Sequence, residues 1–145
     1  FRTAPSAGAL YPLEVFVATG NVEALSPGIY RYNPETHELV QTSEGDRRND
    51  LRRGALNQSA VSRAPAVFVF GAVFERVTGK YGKRGVQYAF MEAGHAAQNL
   101  CLQAVSLDLA SVPMGAFDDK TIQRILNAEK DIRPVYLVPV GKAAK

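Results

Sequence analysis

Apolar and polar residues change rhythm along the chain, and the rhythm divides it into elements. Leu13 to Ala18 sets Leu, Val and Val between Glu, Phe and Ala, which predicts a strand with both faces at least partly covered. Gly28 to Tyr32 and Glu38 to Gln41 flank Asn33-Pro34-Glu35-Thr36; Asn and Pro supply turn chemistry, so the two runs predict a hairpin. Asp46 to Leu56 takes a helical period with Asp46 as its cap. Ala66 to Ala72 (AVFVFGA), directly after Pro65, is a short buried strand.

The strongest element runs from Val86 to Leu107 and holds one formally charged residue, Glu92. Glu92, His95, Asn99, Gln103 and Ser106 recur at intervals of three and four, which places them on one stripe of a helix. Phe90, Met91, Ala93, Ala97, Leu100, Cys101, Ala104 and Val105 cover most of the remainder. A surface helix would carry Lys and Glu on that stripe. Neutral amides there predict a covered polar face, under a second subunit or a polar ligand, because buried amides must find hydrogen-bond partners. Gly94, Ala96 and Ala97 would let another backbone approach. Ser111 to Ala116, a helix from Asp118 to Asn127 capped by Asp118 or Asp119, and a strand from Val135 to Val140 complete the chain. Strands alternate with helices in this later part, so the expected fold is α+β with a central mixed sheet.

Composition narrows the classes. A 145-residue chain that is 46% hydrophobic is of a size that buries about two-thirds of its unfolded surface in one domain. Its longest apolar stretch is broken by Glu92, His95, Gln98 and Asn99, well short of the roughly 20 apolar residues a membrane span needs, so a soluble protein is expected. Phe1 is not an initiator Met and no basic-then-apolar leader follows it, so the start reads as a cut edge of a longer polypeptide. Cys101 is the sole cysteine; it excludes an internal disulfide and reads as a small buried residue. The net charge of +3 has a local source in Arg47, Arg48, Arg52 and Arg53. With no interleaved aromatics for base stacking, these read as a solvated helix face and not as a nucleic-acid site.

His37 and His95 have no Cys or carboxylate at a zinc spacing, and Glu92 with His95 supplies only part of a di-iron site, so no metal is expected. No GxGxxG or Walker sequence is present, which argues against a tight Rossmann-type nucleotide site. Three other segments could carry chemistry. In PSAGALYP (Pro5 to Pro12), Ala7, Gly8 and Ala9 have no bulk and Ser6 offers a hydroxyl; it is either an ordinary turn or a loop that lets a flat cofactor approach. In VPMGAF, Pro113 lacks an amide N–H and Gly115 a side chain, so a main-chain N–H could reach a ligand; a simple strand end is the alternative. TGKYGKRG (Thr78 to Gly85) reads as a surface loop or the entrance to the long helix.

Taken in this order, PSAGALYP and EAGHAAQNLCLQAVSLDLASVPMGAF resemble the flavin-dependent nitroreductase superfamily, and Lys80-Tyr81-Gly82-Lys83-Arg84-Gly85 resembles its SagB-type, azoline dehydrogenase branch. The resemblance covers nearly the whole chain, residues 1–145, as one FMN-binding domain, and implies a nitroreductase-like fold acting as a cytoplasmic homodimer. It implies that Pro5, Ser6, Ala7 and Gly8 contact FMN bound mainly by the other subunit, with Ala9 standing where the family often has a polar Asn. It implies that Pro113, Met114, Gly115 and Ala116 pass the flavin and donate a backbone hydrogen bond toward N5, which would stabilise charge on the reduced ring. Lys142, in preference to Lys145, would meet the phosphate, and an Arg-rich N-terminal helix of the family is missing before Phe1.

The same resemblance makes Lys80 and Tyr81 a catalytic dyad. Oxidising a thiazoline or oxazoline in a peptide removes a proton from carbon while a hydride goes to flavin. A Lys of lowered pKa, or a phenolate near a cation, suits the base. Lys80 is then the proton acceptor, Tyr81 positions or relays, and oxygen reoxidises the flavin. Two other readings stay open: an NAD(P)H-fed reductase of nitro compounds or quinones, and a flavin-free structural subunit of the same fold.

Overall fold

The structure, a computed structural model, describes residues 2–143. Strands β1 (Leu13–Thr19), β2 (Gly28–Asn33) and β3 (Glu38–Glu44) form a meander, with the β2–β3 hairpin where the Asn33-Pro34 turn predicts it. Helices α1 (Arg48–Gly54) and α2 (Ser59–Arg63) lead to β4 (Ala66–Val73). Helices α3 (Glu75–Tyr81) and α4 (Arg84–Ser106) follow, then β5 (Ala110–Ser111), α5 (Asp119–Leu126) and β6 (Ile132–Gly141). The six strands form one sheet in the order β3-β2-β1-β4-β6-β5.

The sheet is antiparallel at every pairing, not mixed. Parallel strands need a crossover connection; β4 and β5, joined through α3 and α4, run parallel to each other, but β6 inserts between them, so no two neighbours are parallel. β6 also begins three residues before the expected Val135. Pro134, which argues against a strand interior, is accommodated at a register shift opposite Phe70 and Gly71. The expected element from Ser111 to Ala116 shortens to β5 and one bridge, Met114 to Leu137.

Alternation along the strands sends side chains to two layers. On one face Phe16, Ile29, Val67, Val69 and Leu137 pack with Leu51, Val61, Ile122 and Leu126 of α1, α2 and α5. Leu51, Ile122 and Leu126 are fully buried, each worth about 1.5–3 kcal/mol relative to exposure. Asp118 caps α5, accepting the Thr121 amide at 2.8 Å. On the other face Phe70, Val138 and Val140 meet Ala97 and Ala104 of α4, with Cys101 half-buried beside them. Around α1, Arg48 pairs with Asp46 at 2.6 Å, while Arg47 and Arg53 both pair with Asp50, so two carboxylates offset half the charge of this basic run.

Helix α4 distributes its apolar residues unusually. Ala89, Ala93, Ala97 and Ala104 turn inward, each at most 3% exposed, while Phe90, Met91, Leu102 and Val105 face outward at 51–69%. Small inward residues let the helix lie close to the sheet. The consequence is a row of large apolar side chains that the described residues leave half or more exposed.

Candidate functional site

The PSAGALYP segment folds into a single 3-10 turn, Ala7–Ala9, whose backbone is under strain. Gly8 has φ +61°, and the non-glycine residues Ala9 and Tyr11 have φ +54° and +45°. Left-handed conformations of this kind cost of order 1–3 kcal/mol each and persist where the surroundings over-determine them. Tyr11 is held on three sides. Its amide donates to Ser6 Oγ at 2.9 Å, its carbonyl accepts from Arg76 at 3.0 Å, and the Arg2 guanidinium lies 4.1 Å from its ring centre.

Lys80 and Tyr81 do not lie in a loop. They form the last turn of α3, which ends because Gly82 takes φ +55° and its amide caps Thr78. Sequence reasoning was misled by Gly79 and Gly82, the first of which sits within the helix at a surface position. Arg76, one turn earlier, bonds Glu14 of β1 at 2.6 Å, and Glu14 also holds Arg31 of β2 at 3.0 Å, so α3 is fastened to the sheet as well as to the loop. Lys80 is exposed and Tyr81 half-buried.

The turn and the pair meet. A Cβ added at Gly8 would lie 2.7 Å from Tyr81 Oη and 3.0 Å from Lys80 Nζ, so the phenol and the ammonium both stand over the one residue of the turn that has no side chain. Tyr81 packs edge-on against Tyr88 of α4, ring centres 5.2 Å apart at 87°, and Arg84 lies 5.6 Å from the Tyr88 ring. Lys80 Nζ is 5.4 Å from the Tyr81 ring. An amine and a phenol are thereby gathered at one surface position, packed against the side-chain-free backbone of Gly8. Tyr88, a neighbour that fixes Tyr81, lies on the next helix, so only the turn of the chain at Gly82 and Lys83 brings the two rings together.

Ser6 serves the fold of the turn more than an incoming ligand. Its oxygen accepts the Tyr11 amide. Glu92 is 5% exposed, and burial raises its pKa, with Ser6, Arg2 and His95 opposing the rise. Asn99, further along the same stripe, donates to Thr3 Oγ1 at 3.2 Å. At Glu92 and Asn99 the polar stripe of α4 is therefore met by the chain's own N-terminal segment; the expected cover by a partner or ligand is replaced at these two positions.

The other expected contacts lie on a different part of the surface. Pro113, Gly115 and Ala116 are exposed, while Met114 is half-buried and bonded to Leu137 in both directions, at 2.7 and 3.0 Å. Nothing lies within 4 Å of a Cβ added at Gly115. Among the described residues, neither the Gly115 nor the Ala116 amide has an acceptor. Pro5 and Gly8 are exposed, Ala7 half-buried. No hydrogen bond among the described residues joins residues 113–116 to Lys80 or Tyr81.

Two cavities flank the 110–117 strip. One, of about 430 Å³, is lined by Ser111, Val112, Lys142 and Arg63; the other, of about 410 Å³, by Gly115, Phe74, Phe90, Phe117 and Arg133. Among the described residues neither Arg63 nor Lys142 has an ion-pair partner, so their shared cavity suits an anion such as a phosphate ester. Arg63 carried no signal in the sequence, because only the fold brings the end of α2 to the end of β6. Lys145 lies outside the described residues.

The nitroreductase family profile matches residues 1–142. The chain belongs to the nitroreductase family. It is 43% identical over 142 residues to MJ1384 of Methanocaldococcus jannaschii, a candidate nitroreductase, covering 98% of this chain and 71% of that protein. It is 28% identical over 134 residues to the microcin B17-processing protein McbC of Escherichia coli, covering 89% of this chain and 49% of McbC. A solved structure of the E. coli microcin synthetase McbBCD complex with truncated pro-MccB17 bound superposes with a TM-score of 0.86 at 26% identity. That match covers all of this chain and 57% of the matched one. Like these relatives, this nitroreductase-family domain is α+β with a long helix beside the sheet, and none of its described helices is long and apolar enough to cross a membrane.

Proposed function

We propose that the protein is an FMN-dependent oxidoreductase of the SagB type that dehydrogenates azoline rings in peptide substrates. The observation that carries this reading is the meeting of Lys80 and Tyr81 over Gly8: a base and a phenol brought side by side against the turn. McbC, whose name marks it as processing microcin B17, is a relative of the same family, which favours a peptide substrate. FMN, when bound, supplies the acceptor for the hydride that leaves the azoline as its ring becomes aromatic.

The residues present fit that cofactor. Gly115 and Ala116 offer free amide donors without side-chain bulk, and Arg63 with Lys142 offers cationic partners for a phosphate. Lys80 takes the carbon-bound proton at Nζ, and Tyr81 orients the ring and passes the proton outward. A homodimer supplies the missing arrangement: the turn and Lys80–Tyr81 of one subunit face the 113–116 strip and Lys142 of the other, with Phe90, Met91, Leu102 and Val105 covered between them. The test is to incubate purified full-length protein carrying FMN with a thiazoline-containing peptide under air. Loss of two hydrogens per ring by mass spectrometry is expected; an FMN-loaded protein that leaves the azoline intact would overturn the proposal.

The similarity to MJ1384 favours a second reading, an NAD(P)H-dependent nitro or quinone reductase. Steady oxidation of NADPH with a nitroaromatic acceptor, unaffected by loss of Lys80, would select it.

A further inference from the structure

Arg76 of α3 grips two points of the chain at once. One arm of its guanidinium, Nη1, donates to the Tyr11 carbonyl at 3.0 Å, and the other, Nη2, to Glu14 Oε1 at 2.6 Å. Glu14 is a firm anchor, because its second oxygen takes Arg31 of β2 at 3.0 Å and Arg31 in turn holds Glu129 at 2.7 Å. One planar fork, with a donor spacing that an ammonium lacks, therefore sets the exit of the turn relative to β1. Tyr11 needs such support. Its φ of +45° is left-handed at a non-glycine residue, a conformation that persists where the surroundings over-determine it. Of the three groups that hold Tyr11, which are Ser6, Arg2 and Arg76, only Arg76 belongs to the helix that bears Lys80 and Tyr81. Lys80 follows Arg76 by four residues, on the same face of α3. The side of the helix that grips the end of the turn thus carries the amine that stands over Gly8 at its middle.

We propose that Arg76 is a positioning residue for the reaction: by tying the Tyr11 carbonyl and Glu14 to α3 it fixes the strained turn so that Gly8 meets Lys80 and Tyr81. The assignment rests on the reading of Lys80 and Tyr81 as the reacting pair. Arg76 itself touches neither substrate nor cofactor in this scheme. Its fork is what matters, so a positive charge at the same place is not enough.

The test uses full-length FMN-loaded protein with Arg76→Met, Arg76→Lys, and Arg76→Met combined with Gly8→Ala, compared by hydrogen exchange and by turnover of a thiazoline peptide. The Arg76 side chain is 41% exposed, so Met should leave the fold intact. In Arg76→Met the amides of Ala9, Leu10 and Tyr11, all bonded within the turn, should exchange faster while those of α4 stay protected. Its kcat should fall about 10- to 100-fold, the scale of a misplaced reacting group, with KM within about twofold. Arg76→Lys should recover only part of that loss. With Gly8→Ala already pushing the pair aside, Arg76→Met should cost less than about threefold more, because two changes to one contact do not add. Wild-type exchange or kcat in Arg76→Met, full kcat in Arg76→Lys, or losses that multiply in the combined variant overturns the proposal. If the wild type itself leaves the azoline intact, the functional reading fails and the role in that reaction goes with it, whereas unchanged exchange in Arg76→Met refutes the clasp on its own.

Discussion

Gly8 and Tyr81 fit against each other only because Gly8 has no side chain: a methyl group there would stand 2.7 Å from the phenol oxygen. The φ of +61° at Gly8 is a second, independent demand for glycine. Gly8→Ala is therefore expected to push Tyr81 and Lys80 aside and to lower azoline turnover by about 10- to 100-fold, with FMN retained. Turnover at the wild-type level in this variant would show that the contact does not matter to the reaction.

Lys80→Ala separates chemistry from binding. Lys80 is exposed at the end of α3 and makes no ion pair among the described residues, so its removal should leave the melting temperature and flavin spectrum unchanged. Loss of the general base lowers azoline oxidation by about 10²- to 10⁴-fold, and Tyr81→Phe, which keeps the ring against Tyr88, lowers it less. Full azoline oxidation by Lys80→Ala would remove the dyad from the mechanism.

Gly115→Val tests the cofactor strip. Space is open around Gly115, so the variant should fold normally, and any loss can be assigned to what the isoalloxazine would need. Weaker FMN binding is expected in a fluorescence titration; an unchanged dissociation constant places the ring elsewhere.

Glu92 also predicts a pH dependence of stability. Burial raises its pKa, opposed by the smaller effects of Ser6, Arg2 and His95. The folded chain thus keeps this proton to higher pH than the unfolded chain does. Its stabilising share is full below the ordinary glutamate value of about 4.3 and is lost as pH rises through the folded value. Glu92→Gln cannot ionise, so its melting temperature should gain on the wild type as pH rises from about 4 to 7. A constant difference over that range would mean that Glu92 titrates as it does in the unfolded chain.

The oligomeric state needs a probe on the outer face of α4. Ala97, which the sequence suggests as a point of approach for another backbone, is 3% exposed and packed against Phe70 and Val138 within the same chain; a charge there would unfold the domain. Leu102, at 61% exposure, is the better position. Leu102→Asp should leave the fold intact and give monomers by light scattering, with weakened FMN binding; a dimer that persists would put the interface on another surface.

Periodicity made the large elements legible because each is governed by local rules. The Asn33-Pro34 hairpin, the cap at Asp118 and the helix around Glu92 all follow from spacing and side-chain chemistry within a few residues. Lys80–Tyr81 and the Pro5–Pro12 turn could be found as segments, through resemblance, but not as neighbours. Their meeting depends on α3 returning to β1 through Arg76 and Glu14, a contact 62 residues long in sequence. Glu92 was visible as the lone charge of its helix, yet its direction was not: spacing gives the stripe, and only tertiary packing says that the N-terminal segment lies on it. Strand direction failed for the same reason, since alternation of helices and strands does not fix at which end of the sheet a helix delivers the chain.

In the proposed homodimer, the inside-out placement of apolar residues on α4 would make the protein's robustness a function of how much of it is present. An isolated subunit carries Phe90, Met91, Leu102 and Val105 in water, so if the proposed homodimer forms, dilution should strip away both the neighbour that shields them and the facing half of each flavin bed. Melting temperature should climb with protein concentration, as mass action requires when only the assembled form gains from association, and added FMN should shift that curve toward lower concentrations.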